Sequence, residues 1–149
     1  MKHKKKIQIL QKNKIYLFTD GSVNPQTRQG FGAYLLLNTL ELFSVTLENE
    51  IYIKKFDNTS STKLELETLL WALTDTNLKN FQVIVYTDCQ NIIGLKDRRE
   101  RFEKNNYMTS KGKQIKNHEL YEEFYKKIDI LDCEFIKVAN SNIKCNFLR

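Results

Sequence analysis

The spacing of apolar residues first changes from strand-like to helical near residue 60, and that change constrains the fold more than any other feature of the chain. Upstream, Ile15 to Thr19, which stops at the turn signal Asp20-Gly21-Ser22, and Phe31 to Leu37 are short runs of aliphatic and aromatic residues that read as strands. Leu42 to Ile53 reads as a third strand, after a turn at Asn38 to Glu41. Ser60-Ser61-Thr62 then offers helix N-caps, and Leu66, Leu69, Leu70 and Leu73 recur at i, i+3, i+4 and i+7, one face of a helix. A fourth strand is expected over Phe81 to Thr87, one or two short helices between Gln90 and Lys116, a helix over Asn117 to Leu131 with Leu120, Phe124 and Ile128 on one face, and a last strand at Cys133 to Val138. Short loops favour an antiparallel meander for the first three strands. A strand reached through a helix favours a parallel crossover, so the expected fold is α/β with a sheet of mixed pairing.

A chain of 149 residues is about one domain long. Its 41% hydrophobic and 28% charged content excludes collagen-like, coiled-coil and wholly disordered classes. Residues 1 to 13 read as a basic flexible segment and residues 14 to 149 as a single domain. No apolar run reaches the ~18 residues of a membrane span, and the Lys-rich start does not lead into a signal-peptide core, so a cytoplasmic protein is expected. Cys89, Cys133 and Cys145 are odd in number and lack metal-site spacing, which speaks against a disulfide framework and a zinc site. The net charge of +6 is unevenly placed: residues 1 to 19 carry +6, residues 96 to 116 carry +5, and the remainder −5. Two basic zones on an acidic body suit a polyanionic partner held apart from a carboxylate site.

Asp20 and Asp88 each follow an apolar strand. If those strands are parallel neighbours, both carboxylates stand at the same edge of the sheet, where α/β folds place their sites. Adjacent like charges are costly unless a cation neutralises them or one takes a proton. The Leu-striped helix offers a third acid. At ~100° per residue Glu65 falls about 80° from the stripe and can border the sheet, whereas Glu67 lies about 120° away, toward solvent. Converging carboxylates without His or Cys suit a hard cation such as Mg²⁺ or Mn²⁺, and an acidic metal cup on a partly basic surface points to phosphodiester chemistry.

These residues resemble ribonuclease H of the type 1 family. Thr19-Asp20-Gly21-Ser22 with Asn24-Pro25 and Gly30-Phe31-Gly32-Ala33-Tyr34 is similar to its first motif. Lys63-Leu64-Glu65-Leu66 with Ala72-Leu73 is similar to its helix motif, and Tyr86-Thr87-Asp88-Cys89-Gln90 to its third. Lys116-Asn117 and Glu119-Leu120-Tyr121 resemble the entry into its later helix. The resemblance implies an RNase H-like mixed five-stranded sheet, three antiparallel strands then parallel strands, flanked by helices. It also implies a metal-dependent endonuclease that cuts the RNA strand of an RNA·DNA hybrid, leaving 3′-hydroxyl and 5′-phosphate ends, and acts as a monomer without a membrane. Asp20, Glu65 and Asp88 would be catalytic metal ligands for two Mg²⁺ or Mn²⁺ ions. Asn24, Ser61, Thr62 and Gln90 would lie along the RNA strand. The basic segment 96 to 116 would be the substrate handle, with Lys111, Lys113, Lys116 and Asn117 binding substrate and the last two near the DNA strand.

After Lys137-Val138 the family continues with Lys-Gly-His, a loop, a fourth carboxylate and a closing helix. Here the run is Ala139-Asn140-Ser141-Asn142. One alignment lays Asn142 to Arg149 on the last motif, so that Asn146 takes the fourth acid's place as a metal ligand. The other leaves the C-terminal part atypical or truncated. The departure bears on rate more than fold, and so a catalytically weak or inactive nucleic-acid-binding protein of the same fold stands as the alternative to the nuclease. An integrase-type relative is disfavoured by Gln90 and the handle.

Overall fold

The computed structural model describes residues 12–38 and 51–139. Their strands are β1 (Asn13–Asn24), β2 (Gln29–Asn38), β3 (Ile51–Phe56), β4 (Phe81–Thr87) and β5 (Asp132–Lys137). The helices are α1 (Ser61–Asp75), α2 (Gln90–Ile93), α3 (Leu95–Lys104) and α4 (His118–Ile130). The strands form one sheet in the order β3-β2-β1-β4-β5. β1, β2 and β3 pair antiparallel, while β4 lies parallel to β1 and to β5. The expected mixed sheet of three antiparallel strands followed by parallel ones is therefore the fold. No helix of the described residues is long and apolar enough to cross a membrane.

β4 is an interior strand, parallel to both neighbours, which explains its apolar run: Val83, Ile84 and Val85 are all buried. On one face of the sheet Leu17, Tyr34, Val83 and Val85 join Leu66, Leu69 and Leu73 of α1 and Tyr121, Phe124 and Tyr125 of α4 in a continuous core. Ala33, Leu35 and Leu37 alternate out of that core into a second cluster with Phe18, Ile51 and Val138. Ser60 caps α1 by accepting from Lys63 N at 3.3 Å, so the capping hydroxyl is neither Ser61 nor Thr62.

The elements depart from the sequence reading in three places. β1 does not stop at Asp20-Gly21-Ser22. β2 is long enough to keep that turn-like triplet extended through the pairs Asp20↔Ala33 and Gly21↔Gly32, and the reversal falls at residues 25–28, where Arg28 has φ 60°. β3 runs on to Phe56 instead of ending at Ile53, and the expected turn and most of the expected third strand lie outside the described residues. The buried face of α4 is turned toward Tyr121 and Tyr125, with Leu120 and Ile128 only half-buried, because the Tyr125 hydroxyl finds the Leu95 carbonyl at 2.7 Å.

Candidate active site

Three glycines let α1 lie against the β1–β2 hairpin. A Cβ on Gly32 would overlap Thr68 Oγ1, and one on Gly30 would stand 2.8 Å from Leu64 Cδ2. At Gly21 the same construction meets Leu64 Cδ2 at 3.0 Å and Glu65 Oε1 at 3.6 Å. The close approach thus delivers Glu65 to the strand that carries Asp20. Asp20 is fully buried, its Oδ1 accepting from Gly21 N at 2.9 Å. β1 and β4 are in register as Phe18↔Tyr86, so two residues further along Asp20, still within β1, and Asp88, the first residue past β4, stand side by side. One carboxylate oxygen from each of Asp20, Glu65 and Asp88 lies within 4.8 Å of the others.

The donor set fits a divalent cation. It consists of hard oxygens only, converging from three separate elements, and the like charges repel unless a cation lies among them. Asp20, Glu65 and Asp88 could therefore hold a metal ion. Glu67 is not the free solvent acid its helical angle suggested: it is half-buried and accepts from the buried Thr59 hydroxyl at 2.6 Å. Burial pushes the Cys89 thiol up, and the Glu65 and Asp88 carboxylates add to the shift, so this neighbour of Asp88 stays a protonated thiol.

Other residues picked out in the sequence lie on or next to the elements that carry these acids. Ser61 and Thr62 are exposed in the first turn of α1, four and three residues before Glu65 and so on its side of the helix. Asn24 ends β1, and its Oδ1 accepts from Gln26 N at 2.9 Å and Thr27 N at 3.3 Å, which turns the amide nitrogen outward. The hairpin turn is tied to the approach to α1 by Thr59 N donating to Arg28 O at 2.8 Å. Gln90 opens α2 and is exposed. Asn146 lies outside the described residues.

The basic segment divides in two. Lys96 donates to Cys133 O at 2.9 Å, Arg98 to Asn91 Oδ1 at 2.7 Å, and Arg99 grips Asp129 through two bonds of 2.6 and 2.8 Å. Those three cations hold α3 against α2, α4 and β5. Lys111, Lys113 and Lys116 instead stand exposed on the connection to α4, around a turn where Gly112 takes φ 78°. Asn117 takes φ 65° at the start of α4, and its carbonyl accepts from Leu120 N at 3.0 Å. One side chain was missed altogether. Lys137, opposite Thr87 at the end of β5, donates from Nζ to Gln90 Oε1 at 2.7 Å. Counting residues along two parallel strands from Asp88 would have found it.

Comparison with known proteins bears on the fold and the family. In structure the chain is similar to a foamy viral protease-reverse transcriptase solved in complex with dsDNA, with TM-score 0.67 and 13% identity over 93% of this chain and 88% of that one. At that identity the likeness is one of fold. No curated protein matches the chain. The RNase H family model, however, matches residues 12–144, a span that takes in all five strands, the four helices described above and the three converging acids. By that match and by its fold, the chain belongs to the RNase H family.

Proposed function

We propose that the protein is a metal-dependent endonuclease that hydrolyses the RNA strand of RNA·DNA hybrids and leaves 3′-hydroxyl and 5′-phosphate ends. The observation behind this is the convergence of Asp20, Glu65 and Asp88 at the carboxyl edge of β1 and β4. These three would hold two Mg²⁺ or Mn²⁺ ions, which when bound supply an activated water for attack on phosphorus and stabilise the departing 3′-oxygen. The protein's own part is placement. Gly21, Gly30 and Gly32 hold α1 close enough for Glu65 to share a site with the buried Asp20. The outward amide of Asn24, the hydroxyls of Ser61 and Thr62 and the amide of Gln90 line the approach with groups able to meet 2′-hydroxyls, the feature that separates RNA from DNA. Lys111, Lys113 and Lys116 add the cationic surface that a paired phosphate backbone requires.

The test is incubation of a hybrid carrying end-labelled RNA with Mg²⁺ or Mn²⁺, beside single-stranded and duplex DNA of the same sequence. Nicks confined to the RNA of the hybrid are expected. Where the family continues with Lys-Gly-His this chain runs Ala139-Asn140-Ser141-Asn142, which favours a second reading as a slow or inactive hybrid-binding protein. Uncut RNA in a complex whose affinity falls steeply with salt would establish that reading in place of the first.

A further inference from the structure

Lys137 and Gln90 meet at the edge of the sheet that carries the acid cluster. β5 runs parallel to β4 with Thr87 opposite Lys137, and Val138 N continues the ladder to Thr87 O at 3.0 Å, so the backbone under Lys137 is fixed next to Asp88. Gln90 is held equally well, two residues beyond Asp88 at the first turn of α2, with its carbonyl accepting from Gly94 N at 3.1 Å. Both side chains are exposed, and the one bond between them runs from Lys137 Nζ to Gln90 Oε1 at 2.7 Å.

The chemistry of that pair has a direction. A glutamine amide has a donor end and an acceptor end that exchange by a half-turn, and an exposed one samples both. An ammonium only donates. Lys137 therefore accepts one orientation of Gln90 alone, with Oε1 toward the lysine and the two Nε2 hydrogens turned away from it. We infer that Lys137 is a positioning residue that makes Gln90 a fixed donor, so that this rim selects a strand presenting 2′-hydroxyl oxygens as acceptors. The inference rests on the hybrid reading above and adds to it the residue through which Gln90 tells RNA from DNA.

A lysine that merely touched phosphate would strengthen binding to any duplex alike, and the two roles separate in a ratio of affinities. The dissociation constants for a hybrid and for duplex DNA of the same sequence are measured by fluorescence anisotropy in EDTA, for the wild type, Lys137→Met, Lys137→Arg, Gln90→Ala and the Lys137→Met/Gln90→Ala pair. The preference for hybrid is expected to fall about fivefold in Lys137→Met and in Gln90→Ala, the worth of one hydrogen bond. It should fall no further in the double variant and survive in Lys137→Arg, which still only donates. Equal weakening on both duplexes in Lys137→Met, or additive losses in the double variant, would overturn the inference and leave the hybrid reading standing. A wild type that binds both duplexes alike would remove the hybrid reading, and this inference with it.

Discussion

The acid cluster and the basic segment contrast in how their charges are supported. Asp20, Glu65 and Asp88 come from a strand interior, a helix resting on glycines and a strand end, and their geometry is set by main-chain pairing and close packing. The bases of residues 96 to 116 sit on one helix and a connection, and Lys96, Arg98 and Arg99 are already engaged by carbonyls and carboxylates of the fold. A charge count treats the two regions alike. The structure separates them, because a charge bound inside the protein has exchanged solvent for a fixed partner, while one left in solvent keeps its attraction for phosphate. The acids are thus built in as a unit, and the bases are shared between holding α3 and meeting a polyanion.

That contrast can be broken most sharply at Asp20. Asp20→Asn keeps shape and removes charge, and cleavage should fall by ~10³-fold or more, with hybrid binding in EDTA largely retained. Unchanged turnover in a single-turnover assay would take Asp20 out of the site. Gly32→Ala probes the same region through packing. The added methyl meets Thr68, so we expect a loss of about 2–3 kcal/mol in urea unfolding, accompanied by reduced cleavage as α1 carries Glu65 away. Wild-type stability would mean that α1 does not need its close seat.

The basic segment should respond in binding and not in stability. Lys111→Glu, Lys113→Glu and Lys116→Glu combined should weaken hybrid affinity at least about tenfold and flatten the salt dependence of log K by roughly 2–3 in slope, with the melting temperature unmoved. An unaltered slope would return these lysines to the role of solvated surface. The smallest effect is expected at Arg99. Its guanidinium holds the Asp129 carboxyl below its ordinary value of 3.8, so the stability from that pair is present above this pH and is lost as pH falls through the lowered value. Arg99→Ala should therefore melt a few degrees lower at neutral pH, and the two melting curves should converge below about pH 3.8. A difference that persisted in acid would place the contribution of Arg99 in its contact with the Tyr125 ring instead.

Much of this was written in local pattern. The Leu66, Leu69, Leu70, Leu73 stripe specified a helix and its buried side, and the same angular reasoning separated Glu65 from Glu67 correctly as to which joins the cluster. It misjudged the surroundings of Glu67, because helical angle says nothing of the loop that brings Thr59 over it. Asp88 ended its strand as read, while Asp20-Gly21-Ser22 looked like a turn and became strand. Turn propensity is local and weak, and ten consecutive pairs with β2 outweigh it.

The sequence by itself determined the kinds and order of the elements, the three acids and the uneven spread of charge, since periodicity and side-chain chemistry are properties of neighbours along the chain. Tertiary structure alone decided that α1 may approach the hairpin through its glycines, that three of the basic residues serve the fold, and that Lys137 at the end of β5 reaches Gln90 at the start of α2. Those are distances between residues far apart in the chain, and they exist only once strands have chosen their partners and register.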